Sequence, residues 1–266
     1  TRPYDDRDGV PVEQRGYQNA RAAVDWAKAN LMGSGLTGGN ATTSSSSSSS
    51  ERLSSLVIGG CSAGSIGTQV WAAALLQEFE YDMAAVVADS YVGVFPPGTE
   101  GPLIASFGFC STPLLLDEEL QAVCAAGDIT LQDMVHDAMG RYPSVLFSHV
   151  NSKFDVVQRE YYAGVAATSL ERPLYISKAA YTDAMNVLLK GYSERHANYV
   201  SFVVTASQHC YTPYSLMYTA DTTGPKGNAS SSSTSSSGSA ATTLVDWLQH
   251  LPVPPGASAE SECDGE

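Results

Sequence analysis

Gly60-Cys61-Ser62-Ala63-Gly64 is the segment of this chain whose residue types and spacing most directly imply chemistry. It fits G-x-S-x-G, a turn that sets a serine between a strand and a helix and lifts its hydroxyl above a sheet. Glycines two before and two after the serine let backbone segments approach without Cβ clashes. The amide of Ala63 and the N-terminus of the next helix would face negative charge developing on a carbonyl oxygen. The implied chemistry is acyl transfer through Ser62. A chain rich in glycine and serine also produces the pentapeptide by chance, so the flanking elements decide: a strand must precede it and a helix must follow.

A serine nucleophile needs a base, and turns of this kind take their partners in the chain order serine, acid, histidine. Of the five histidines, His209 alone follows a hydrophobic strand late in the chain. Its loop, Ser207-Gln208-His209-Cys210, is kept from growing into a long helix by Pro213. His136 precedes the acid within a helical stretch, and His149 lies inside a strand as a packed side chain. His196 and His250 read as solvent-facing helix residues. Asp155 has the acid's place, just after a strand and between Ser62 and His209. Asp89 also ends a strand and is its rival, but it follows Ser62 by a single strand–helix unit and reads better as a structural or pocket residue. Asp183 on a helix and Asp221 beside a serine tract are weaker choices.

The elements that must position these side chains alternate. Apolar residues Tyr17, Ala20, Val24, Ala27 and Leu31 recur at helical spacing. Residues 53–58 form a β-prone run ending at the turn, and 66–80 return to helix. Further strands are expected at 83–88, 144–150 and 199–205, with helices at 174–190 and 244–251. Nearly continuous apolar strands between helices predict an α/β fold: a mostly parallel sheet with helices on both faces, and sites just after strand C-termini.

Two low-complexity tracts, at about 33–51 and 226–241, are too polar to bury a core and are expected as disordered insertions. Residues 1–252 otherwise read as one domain, and 253–266 as a disordered acidic tail. The charge balance, 14 Lys+Arg against 28 Asp+Glu for a net −14, argues against nucleic acid and anionic lipid as partners. No apolar run approaches the ~20 residues of a membrane span. Five cysteines without a C-x-x-C pair match no zinc module. Cys110 and Cys124 are expected to pair around a loop-plus-helix segment where a lid would sit, worth ~3 kcal/mol for a loop of about 15 residues. The sequons at Asn40 and Asn228 favour secretion.

Several blocks, in order, resemble the pectin acetylesterase family, which includes the Notum-type lipid–protein deacylases. Its G-C-S-A-G-G elbow is similar to Gly60-Cys61-Ser62-Ala63-Gly64-Ser65, where the last glycine is replaced. Its D-S strand end resembles Asp89-Ser90-Tyr91-Val92-Gly93-Val94-Phe95, and its Y-D-x-x-Q segment resembles Phe154-Asp155-Val156-Val157-Gln158. Its H-C pair resembles His209-Cys210, and its R-G-x-x-N-x-x-A-A helix resembles Arg15 through Ala23. The resemblance covers roughly residues 1–215. It implies an α/β-hydrolase fold, secretion and no cofactor, with catalysis by Ser62, Asp155 and His209 and Ala63 in the oxyanion hole; a monomer without a metal site is the accompanying expectation.

Family members carry a glycine-rich, Trp-containing oxyanion loop ahead of the elbow, and no similar segment stands there in this chain. The expectation is therefore a piece that starts after that loop and after the first strands of the sheet. Such a piece would leave strand 53–58 or a neighbour short of a partner, and the helix at 16–31 with too little sheet to cover.

The expected substrate is an O-acetyl ester of a cell-wall or matrix polysaccharide. The −14 charge disfavours strongly anionic pectin unless the cleft is locally basic, and only Lys153 and Arg159 flank Asp155. A lipid–protein deacylase is the second reading, with Phe107, Phe109, Leu114, Leu115 and Leu116 lining an apolar pocket. The third is a non-catalytic carbohydrate-binding relative.

Overall fold

The computed structural model describes residues 3–5, 11–13, 15–31, 52–225, 242–251 and 262–263. Both serine-rich tracts, both sequons and the tail outside Glu262–Cys263 lie outside the described residues. In chain order the main elements are α1 (Gly16–Leu31), β1 (Leu53–Cys61), α2 (Ala63–Glu78) and β2 (Tyr81–Asp89). Three helices follow, α3 (Glu100–Ser106), α4 (Glu118–Ala126) and α5 (Leu131–Arg141), and then β3 (Leu146–Ser152). The remainder is α6 (Val156–Ser169), α7 (Lys178–Arg195), β4 (Tyr199–Val204), α8 (Leu244–Gln249) and the two-residue strand β5 (Glu262–Cys263).

The fold is α/β. The strands pair in the order β1-β2-β3-β4-β5, all parallel, with β1 to β4 forming the body of the sheet. Every residue of β3 and β4 is buried, as are 84–89 of β2, which is why these runs are apolar without alternation. Consecutive parallel strands with crossovers of one hand place the crossover helices on a single face. There α2, α5 and α7 bury Leu76, Met139, Met185 and Tyr192 against Ile58, Val86, Phe147 and Val203. The opposite face, Val87, Val150, Val200 and Phe202, is closed by Tyr211 and by Leu244, Trp247 and Leu251 in and beside α8.

β1 is the edge strand. Val57 is 56% exposed, Ile58 is its one buried residue, and its outer side carries no further strand among the described residues. Helix α1 buries none of its residues fully. It docks on α2 through the stacked rings of Tyr17 and Trp71 and through ion pairs of Arg21 and Lys28 with Glu78.

Several elements differ from the sequence reading. Helix α6 had no expected counterpart because its face is small and mixed, and its start is fixed by Asp155 rather than by an apolar stripe. Helix α7 begins later than 174 and runs past 190, because the Ser177 side chain accepts from Ala180 N–H and sets the N-terminus. Cys110 and Cys124 are disulfide-bonded, as expected, tying a 3₁₀ turn to α4 beside a third apolar cluster that holds Leu115, Leu116 and Ile129.

Candidate functional site

β1 ends at Cys61 and α2 begins at Ala63, so Ser62 alone makes the turn, with φ 60° and ψ −120°. A left-handed φ is costly for a residue with a Cβ and persists only where the surroundings enforce it. Here the Ser62 N–H donates to the Asp89 carbonyl at 2.9 Å, while the Ser62 carbonyl accepts from Ser65 and Ile66. Gly60 is required by packing: a Cβ there would lie 2.5 Å from the Gly64 carbonyl oxygen. At Gly64 itself a Cβ meets no described atom within 4 Å, so the motif's two glycines are not equivalent. Ser62 occupies the N-cap position of α2, yet its hydroxyl makes no capping bond. Ala63, exposed on the first turn, has an N–H for which the helix has no acceptor.

Asp155 follows β3 and is fully buried. Its carboxylate lies 2.9 and 3.1 Å from His209 Nδ1. The same carboxylate caps α6, accepting from Gln158 N–H at 3.0 Å, and accepts from Gln158 Nε2 at 2.9 Å. Gln158 is held in turn, with Nε2 donating to Asn151 Oδ1 at 2.6 Å and Oε1 accepting from Val92 N–H at 3.2 Å. One acid thus ends a loop, starts a helix and orients an imidazole. His209 Nε2, the nitrogen turned away from Asp155, is buried without a hydrogen-bond partner, so no hydrogen bond joins it to Ser62 Oγ. Such bonds are often long without substrate and tighten in the complex.

Two links the sequence reading lacked bring the Ser62 and His209 segments together. Cys61 is disulfide-bonded to Cys210 across 149 residues of sequence. Asp89, the rival acid, makes no hydrogen bond to the His209 ring, whose Nδ1 faces Asp155. It holds the backbone after His209 instead, accepting from Tyr211 N–H at 2.8 Å and Thr212 N–H at 2.7 Å. The available signal was the cysteine inside the G-x-S-x-G turn matched by one beside the histidine; pairing across such separation is not readable from spacing. Gln158 could have been found as the N3 residue behind a capping aspartate.

The other histidines serve the scaffold. His149 is buried, with Nδ1 3.0 Å from Tyr199 Oη and Nε2 3.2 Å from Gln69 Oε1, and burial pushes its imidazole down to about 3. A cavity of about 10 Å³ beside it, lined by Gln69, Val86, Ala88 and Phe147, is at the lower limit for one water and too small for a substrate. His196 is not a solvent-facing helix residue: it is the half-buried C-cap of α7, paired with His136 at 2.8 Å. His250 is exposed, with Nδ1 2.6 Å from the Asp246 carbonyl. Asp183 is exposed and Asp221 caps its own turn through Thr223. Cys61, His209 and Cys210 place ligand-type atoms within 4.8 Å of one another, but both sulfurs are committed to the disulfide, so the trio does not fit a metal.

No family model matches the sequence, no curated protein matches it, and no solved structure matches it.

Proposed function

We propose that the chain is a serine carboxylesterase of the pectin acetylesterase type. The observation that carries the reading is the contact of Asp155 with His209 Nδ1, on a loop stapled by disulfide to the residue before Ser62. Asp155 holds the imidazole in the tautomer that leaves Nε2 free to accept a proton. Ser62 Oγ attacks the ester carbonyl as its proton passes to His209 Nε2. The oxyanion is met by the Ala63 N–H and the N-terminus of α2. His209 then protonates the departing sugar hydroxyl, and water, deprotonated by the same nitrogen, releases acetate from Ser62. No step calls for a cofactor.

An O-acetylated polysaccharide is the substrate class we assign. A long acyl chain needs an apolar pocket, and Leu115 and Leu116 are 6% and 1% exposed in the third core cluster while Phe107 is 58% exposed. The membership of Leu115 and Leu116 in a core cluster supports a short acyl group over a long one. Arg159, one of two cations flanking Asp155, directs Nε at the Ile176 carbonyl, which supports a neutral glycan over an anionic one. Two disulfides accord with an oxidising, extracellular setting.

Acetate release from neutral and anionic acetylated polysaccharides, set against deacylation of a lipidated peptide, tests the assignment. Turnover of the neutral acetylated glycan is expected, and turnover confined to the lipidated peptide would replace it with the deacylase reading.

A further inference from the structure

Asp89 is 0% exposed at the C-terminal end of β2, and its carboxylate plays no part in the Asp155–His209 pair. Its Oδ2 accepts from Tyr211 N–H at 2.8 Å, Thr212 N–H at 2.7 Å and Thr212 Oγ1 at 2.8 Å. Its Oδ1 accepts from Ser90 Oγ at 2.8 Å, and that oxygen accepts from Cys210 N–H at 2.9 Å. Three consecutive backbone amides after His209 therefore end on two adjacent side chains. The carbonyl of the same Asp89 receives the Ser62 N–H at 2.9 Å.

The local backbone needs such restraint. Among the described residues four non-glycine residues have positive φ, and three of them meet here: Ser62 at 60°, Ser90 at 58° and Cys210 at 67°. Each conformation costs on the order of 1–3 kcal/mol and survives where several contacts over-determine it. The disulfide sets Cys61 and Cys210 at a Cα separation of 5.7 Å but does not by itself orient the peptide groups flanking Cys210. A buried carboxylate that collects charge-assisted hydrogen bonds fixes that orientation.

We infer that Asp89 is a positioning residue for His209, setting the imidazole relative to Ser62 by gripping residues 211 and 212 with its side chain, Cys210 through the Ser90 hydroxyl it holds, and the Ser62 turn with its carbonyl. The catalytic consequence rests on the esterase reading above; the positioning itself does not.

The test compares Thr212→Val, Asp89→Asn and Asp89→Ala in the full chain. It measures kcat and KM on an acetyl ester together with the low-field proton resonance of His209 Nδ1–H. Thr212→Val removes one of the three bonds to Oδ2, and a loss of a few-fold is expected. Asp89→Asn keeps one acceptor oxygen and should lose roughly tenfold in kcat, while Asp89→Ala should lose roughly 10²-fold, the scale of an ångström-sized misplacement. KM should stay within about twofold, and the resonance should broaden progressively along the series. Unchanged kcat and an unchanged resonance in a cooperatively melting Asp89→Ala protein would overturn the inference, as would a rise in KM alone. If that variant does not fold, Asp89→Asn and Thr212→Val decide by the same two readouts. An inactive wild-type protein would remove the esterase reading, and the resonance would still decide whether Asp89 positions the ring.

Discussion

Cys61, the residue before Ser62, is bonded to Cys210, the residue after His209. The two segments are 149 residues apart in sequence, so the bond closes a long loop and joins two sides of one candidate site. Replacing both cysteines by alanine is expected to lower unfolding stability by about 3–5 kcal/mol on loop-entropy grounds. Turnover should fall as well, because the His209 loop loses its tether. Urea denaturation and ester hydrolysis check the two effects separately, and an unchanged urea midpoint with unchanged turnover contradicts both.

Asp155→Asn is expected to behave differently from Ser62→Ala. Ser62 makes no capping bond, so its loss should abolish turnover while leaving the melting temperature nearly unchanged. Asp155 caps α6 as well as orienting His209. Its asparagine variant should lose about 10⁴-fold in kcat through the wrong imidazole tautomer. The asparagine can still cap α6, but its NH2 cannot accept from Gln158 Nε2, so a stability loss of about 1–3 kcal/mol is expected from that unmatched buried donor. A folded Asp155→Asn protein with near-normal turnover would transfer the orienting role to another group.

The two glycines of the turn should separate cleanly. Gly60→Ala forces a Cβ to within 2.5 Å of the Gly64 carbonyl oxygen, and a loss of about 1–3 kcal/mol is expected. Gly64→Ala meets open space on the first turn of α2 and should be neutral or slightly stabilising. Thermal melts of the two single variants check the order, which reverses if backbone relaxation at Gly60 is easy.

Stability should depend on pH through the buried His149 and the half-buried Glu100, whose shifts have opposite sign. Burial depresses the His149 imidazole from 6.5 to about 3, so its contribution is present above pH 6.5 and is lost as pH falls toward 3. Burial raises the Glu100 carboxyl from 4.5 to about 7, so its contribution is present below pH 4.5 and is lost as pH rises through 7. His136 and His196, both lowered chiefly by burial, add to the loss on the acid side. Urea midpoints between pH 4 and 8 should flatten on the acid side in His149→Gln and on the alkaline side in Glu100→Gln. An unaltered pH profile in both variants contradicts these assignments.

The sheet was legible because its inner strands are buried on both faces and leave unbroken apolar runs, as in Val86, Val87 and Ala88. The turn at Ser62 was legible because only a short list of residues tolerates it. Asp155 was chosen by chain order, by its place just after a strand and by the resemblance of its segment. Its second duty as the cap of α6 was hidden, because the helix it starts has no strong apolar stripe. The grip of Asp89 on Tyr211 and Thr212 was equally hidden, since hydrogen bonds to backbone amides leave no mark in the identity of the donor residues. His196 was misplaced because nothing in a helix C-terminus announces a partner as distant as His136.

Mass spectrometry of the protein after exposure to a fluorophosphonate probes the Ser62–His209–Asp155 reading most directly. The expected result is one stoichiometric adduct on Ser62, absent from Ser62→Ala and strongly slowed in His209→Ala. A folded protein that takes up no probe at Ser62, or that is labelled equally fast without His209, would contradict it.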